Sequence, residues 1–150
     1  QKWTLFPYTT LFRSIGTKAN IIEPEKRMLS SMSPTIISKK GKPYLIIGSP
    51  GGRTIINTVF QTILCVLDYK MPIKKAIEVL KIHHQWMPNK LIYESDLISI
   101  DSLEQLEKMG HKVSGTKQLG RLMGILCPVE EEIYIGASDS SSPDGAAIGY

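Results

Sequence analysis

Two stretches of the sequence hold residue types that could do chemistry. The first is Gly48-Ser49-Pro50-Gly51-Gly52, set between an apolar β-branched run and a long periodic segment. Successive glycines expose backbone N–H groups and let another group come close, because no Cβ stands in the way. A helix that follows would turn its positive N-terminal end to the same spot. Such a turn could hold a phosphate, a carboxylate or a developing oxyanion; it could equally do no more than redirect the chain. A P-loop is excluded, because no Lys-Ser/Thr pair follows the glycines. The second stretch is Leu29-Ser30-Ser31-Met32-Ser33-Pro34-Thr35. Its hydroxyls could hydrogen-bond a carboxylate or cap local turns. A serine nucleophile would need a neighbouring base, and no His or Lys has an evident claim to that role.

The elements that must position these residues follow from periodicity. Thr35–Ser38 and Tyr44–Ile47 are short apolar runs around Lys39-Lys40-Gly41-Lys42-Pro43, which predicts a β-hairpin. Ile55, Ile56, Val59, Phe60, Ile63, Leu64 and Leu67 recur at helical spacing, predicting a helix over 53–69. Pro72 opens a second helix with Ile73, Ala76, Ile77 and Leu80 on one side. Leu91–Glu94 reads as a strand, and 101–109 as a third helix with Asp101 or Ser99 as N-cap and Gly110 as its stop. Strands are expected over 122–126 and 132–135 with a turn near Pro128 and Glu130-Glu131-Glu132, then a polar loop from Ser138. The order β-β-α-α-β-α-β-β indicates an α+β or layered α/β domain.

The 150 residues suffice for one domain, and a 42% hydrophobic fraction is ordinary for a globular chain. The net charge of +4 comes from scattered lysines, so the continuous basic stripe of a nucleic-acid surface is missing. No apolar run approaches the roughly 20 residues of a membrane span. Cys65 reads as a small core hydrophobe and Cys127 lies far from it; neither shows metal-ligand spacing. His83-His84 lacks an obvious third ligand and reads as a structural pair near Trp86. Asp101, Glu104, Glu107 and Lys108 read as a solvated helix face, and Asp68 as a helix end that anchors a loop. The opening run from Thr4 to Ser14 looks like a translated sequencing-adapter oligonucleotide. Residues 1–14 are therefore expected to be non-native, with a partial domain over 15–150.

Lys26–Thr35, Gly48–Gly52, His83-His84-Gln85-Trp86 and Gly136-Ala137-Ser138-Asp139, in this order, resemble the small subunit of γ-glutamyltransferases (glutathione hydrolases), from about Ala19 to Tyr150. The paired Ser and Gly motifs carry most of that resemblance. It implies an N-terminal-nucleophile hydrolase with an αββα sandwich, here incomplete at its N-terminal side. It also implies self-cleavage that frees a threonine whose own amine is the base. By similarity, Ser30 and Ser31 would bind the substrate α-carboxylate, and Gly51 and Gly52 would form the oxyanion hole. The family's threonine and its substrate-binding neighbours lie upstream of Ala19, so this chain alone is expected to be inactive. No cofactor is implied. The expected partners are γ-glutamyl substrates such as glutathione, amino-acid acceptors and the large subunit of the same precursor, in the periplasm or at the cell surface or secreted. Two alternatives remain at this stage: a non-catalytic γ-glutamyl-binding relative, and an anion-binding module for phosphate.

Overall fold

A computed structural model describes residues 23–27, 30, 32–86 and 88–149. The adapter-like run, residues 15–22 and Ser31 lie outside the described residues.

The hairpin forms as expected, from β1 (Thr35–Lys39) and β2 (Lys42–Gly48). Lys40 and Gly41 both have positive φ, 52° and 77°, the geometry of the tight turn that matches strand twist. A register shift at Ile37/Ser38 lets Ser38 face Pro43, near the turn and before β2 becomes a central strand. A 3₁₀ turn (Gly52–Thr54) leads into α1 (Ile55–Leu67), and α2 (Ile73–Glu78) follows Pro72. Leu80 falls beyond α2, because Val79 is already extended. The expected strand at 91–94 is β4 (Leu91–Glu94), and α3 (Ile100–Lys108) is capped by Ser99, whose side chain accepts the Ser102 N–H. Gly110, at φ +90°, lets the chain leave α3 with its N–H on the Glu107 carbonyl. Asp101, Glu104, Glu107 and Lys108 are all solvent-exposed, as the charge pattern predicts.

Three expectations are corrected. Two strands carry no clear sequence signal: β3 (Ile82–His83) and β5 (Val113–Thr116) flank β4 in a second, three-stranded sheet. The strand expected at 132–135 is instead β7 (Ile135–Ser138), because the connection from β6 (Met123–Leu126) runs on through Tyr134. Trp86 does lie beside the histidines, its backbone N–H donating to His84 Nδ1 at 3.2 Å, but its side chain is solvent-exposed rather than packed in the core.

The main sheet is antiparallel in the order β1-β2-β6-β7. One face carries Leu45, Ile47 and Ala137 against Ile55, Val59 and Val66 of α1 and Ile73, Ala76 and Ile77 of α2, which is the core. The opposite face carries Ile36, Ile46, Ile125 and Met123, all exposed. Half of a layered sandwich is therefore in place, helices over sheet. Gln61 of α1 ties this half to the second sheet: its amide donates to the Ile82 carbonyl (2.7 Å) and accepts the Ile82 N–H (3.1 Å).

Candidate active site

The hairpin brings the two chemistry-bearing stretches to one end. Thr35, where β1 starts, pairs with Ile47 near the end of β2. The serine segment before Thr35 and the Gly48–Gly52 turn after Ile47 therefore both leave from the open end, opposite the Lys40-Gly41 turn. The backbone of the turn needs glycine: φ is +146° at Gly51 and +57° at Gly52. A Cβ on Gly51 would stand 2.8 Å from Thr54 Oγ1 and 3.3 Å from the Gly120 Cα. The Gly51 carbonyl accepts the Thr54 N–H (3.3 Å) and hydroxyl (3.0 Å), which starts the 3₁₀ turn and then α1. The helix thus directs its positive end at the turn, as the sequence anticipates.

Ser30 is exposed, and its Oγ accepts the Met32 N–H at 3.2 Å, a local turn contact. Ser49 accepts the Arg121 N–H (3.0 Å) and donates to the Pro50 carbonyl (2.7 Å). The two histidines diverge. His83 is buried with Nε2 2.9 Å from Gln85 Oε1, and its Nδ1 finds no hydrogen-bond partner among the described residues. His84 is exposed, with Nε2 3.1 Å from Asn89 Oδ1 and its ring edge-on to His111. Among the described residues no cluster of three His, Cys, Asp or Glu side chains could hold a metal. No described helix is long and apolar enough to cross a membrane.

Comparison with known proteins decides the family: the model of γ-glutamyltranspeptidase matches residues 6–149. The chain belongs to the γ-glutamyltranspeptidase family. It is 43% identical over 136 residues to the glutathione hydrolase proenzyme of Escherichia coli, covering 91% of this chain and 23% of that protein. To the Bacillus subtilis glutathione hydrolase proenzyme it is 43% identical over 141 residues, covering 93% of this chain and 24% of that protein. Among solved structures, a mutant of Helicobacter pylori γ-glutamyltranspeptidase superposes with a TM-score of 0.77 at 40% identity, over 83% of this chain and 68% of that one. The fold is thus that of the γ-glutamyltranspeptidases, N-terminal-nucleophile hydrolases, and the family is one of enzymes. The chain spans about a quarter of the length of the curated relatives it matches.

Behind the γ-glutamyltranspeptidase glycine turn lies a cluster of three charged residues to which the sequence gives no role. The Lys81, Glu94 and Asp139 side chains are 4%, 8% and 9% exposed. Lys81 Nζ lies 3.8 Å from Glu94 Oε2 and 3.9 Å from Asp139 Oδ2, and donates to the Ile77 carbonyl at 2.6 Å. Glu94 accepts two backbone N–H groups, from Lys81 (3.0 Å) and Leu119 (2.9 Å). Asp139 Oδ1 accepts the Ser141 N–H at 2.9 Å. Charges so deeply buried persist only when paired and hydrogen-bonded. The sequence-level signs are slight: a lysine between the apolar residues Leu80 and Ile82, and Asp139 at the end of the Gly136-Ala137-Ser138-Asp139 motif.

Proposed function

We propose that this chain is the substrate-holding part of a γ-glutamyltransferase or glutathione hydrolase. In this reading Ser30 and Ser31 grip the α-carboxylate of the γ-glutamyl group, and the Gly51 and Gly52 N–H groups receive the oxyanion. A threonine hydroxyl supplied upstream in the precursor attacks the γ-amide carbon. The hydroxyl proton passes to that threonine's own α-amine, and the tetrahedral oxygen gathers negative charge at the glycine turn. The leaving amine departs with that proton, and the resulting ester passes its acyl group to water or to an amino acid. No cofactor takes part. The large subunit of the same precursor completes the pocket, and the enzyme works in the periplasm, on the cell surface or secreted.

The observation that carries this reading is the shared exit of the serine segment and the Gly51-Gly52 turn at the open end of one hairpin, with the start of α1 behind them. A hydroxyl donor for a carboxylate and a backbone cradle for an oxyanion are the two things a γ-glutamyl acyl transfer needs from a scaffold.

The test uses a precursor of full family length that carries this segment. Purified and self-cleaved, it is expected to release p-nitroaniline from γ-glutamyl-p-nitroanilide, whereas residues 15–150 alone give none. A folded, cleaved precursor without turnover that still binds glutamate would replace the enzyme by a γ-glutamyl-binding relative.

A further inference from the structure

The segment Leu119–Arg121 runs directly beneath the glycine turn. Gly120 has φ +85°, and a Cβ there would stand 2.6 Å from Ser49 Oγ and 3.2 Å from the Pro50 carbonyl oxygen. The next residue, Arg121, donates its N–H to Ser49 Oγ. The Thr58 hydroxyl of α1 donates to the Thr54 carbonyl (2.9 Å) and lies 3.2 Å from the Leu119 carbonyl. The turn is thus pressed against a short strap, and the strap is hooked on both sides of Gly120.

What fixes the strap is Glu94. Its Oε1 accepts the Leu119 N–H at 2.9 Å, its Oε2 accepts the Lys81 N–H at 3.0 Å, and the Lys81 ammonium faces the same carboxylate. Glu94 ends β4 in the second sheet, while the glycine turn ends β2 in the first. A single buried carboxylate therefore ties the second sheet to the strap, and the strap reaches the glycine turn of the first sheet through the Arg121–Ser49 hydrogen bond.

We propose that Glu94 is a positioning residue for the Gly51-Gly52 turn, acting through the Leu119–Arg121 strap and Ser49. The proposal rests on the acyl-transfer reading only for its kinetic consequence; the mechanical coupling stands without it. Oxyanion donors act only if they are held in place before charge develops. A strap pinned by a carboxylate, with Gly120 allowing close approach, supplies that rigidity. Loosening it should affect the transition state more than the grip on the ground-state α-carboxylate, which belongs to the serine segment.

The experiment compares Glu94→Gln, Ser49→Ala and their double variant in the full-length precursor. Glutamine keeps the shape but has one acceptor oxygen, so it cannot hold both N–H groups. Amide hydrogen exchange is read in peptides covering 49–54 and 119–122, with α3 (Ile100–Lys108) as the control. Both single variants are expected to speed exchange about tenfold in those two segments and leave α3 unchanged. Active sites are counted by acyl-enzyme burst. Per site, kcat on γ-glutamyl-p-nitroanilide falls about tenfold while KM stays within about twofold, and the double variant is less than additive. Unchanged exchange at 49–54 in Glu94→Gln overturns the proposal, as does a uniform rise that includes α3. If Glu94→Gln does not fold, Ser49→Ala decides: exchange confined to both segments supports the strap, and none refutes it. A folded wild-type precursor without turnover would reject the acyl-transfer reading, while the exchange result still decides the coupling.

Discussion

Gly51 and Ser30 serve different steps of the proposed reaction, so their substitutions should separate in kinetics. At Gly51 a methyl group meets Thr54 Oγ1 and the Gly120 backbone, in a conformation that L-residues rarely adopt. Gly51→Ala is expected to cost about 1–3 kcal/mol of stability from strain alone. It should also lower kcat about a hundredfold, the effect of losing one oxyanion donor. Thermal unfolding and active-site-titrated turnover of the full-length precursor check both; unchanged kcat would remove Gly51 from the oxyanion role. Ser30→Ala should instead raise KM for the γ-glutamyl donor about tenfold, the weight of one hydrogen bond of about 1–1.5 kcal/mol. Its kcat should be nearly unchanged, since the Met32 N–H it leaves behind is exposed and water can replace the contact. At this scale the sequence is informative where backbone freedom is itself the feature, as at Gly51 and Gly52, whose positive φ the glycine run anticipates. It is silent on Glu94 and gives no role to Lys81, because their place in the structure comes from burial. Burial arises only when residues 81, 94, 119 and 139 are folded together.

Helix α1 is the element most exposed to a titration argument, through Cys65. Burial pushes the Cys65 thiol up, and the Lys81 charge pulls it partly back down. A raised folded value means the stability this thiol contributes is complete below the unfolded thiol range. That contribution is lost as pH rises through it, above about 8.5. The thiolate is the reactive form, so Cys65 should alkylate with iodoacetamide at pH 8 more slowly than a free thiol. Mass spectrometry of labelled peptides reads this directly, and a rate equal to free cysteine would contradict the packing of α1. The helices and the first hairpin were legible because each has one face with a clear period, closed by a cap such as Ser99 or Gly110. The strands β3 and β5 were not. β3 spans only two residues, and β5 reads Val-Ser-Gly-Thr without apolar alternation. Its place is set by parallel pairing with β4, where Gly115 lies against the Ser95 side chain, a close fit that a linear pattern does not encode. The shift of β7 has a similar cause. Ile133 and Tyr134 look like strand residues but are exposed, and the register is set by β6, which pairs Leu126 with Ile135.

The whole molecule shows one large asymmetry: helices cover one face of the main sheet and nothing described covers the other. Ile36, Ile46 and Ile125 are cross-strand partners in a single row over β1, β2 and β6, with Met123 beside them. They remain 65%, 36%, 41% and 46% exposed. Sheets of this kind bury both faces in the layered sandwich of the γ-glutamyltranspeptidases, so the row should be core in a protein of full family length. The consequence can be measured at one residue. In such a precursor Ile125→Ala should cost about 2–4 kcal/mol, the price of a cavity, whereas a truly solvent-facing isoleucine would cost within about 0.5 kcal/mol. The same substitution in residues 15–150 alone should be nearly neutral, and that shorter chain should bind a hydrophobic dye and self-associate through the bare face. Equal and small effects in both contexts would mean that no second sheet covers this row. The large cost in the precursor alone would place Ile125 at the centre of the sandwich, with the second layer supplied from outside this chain.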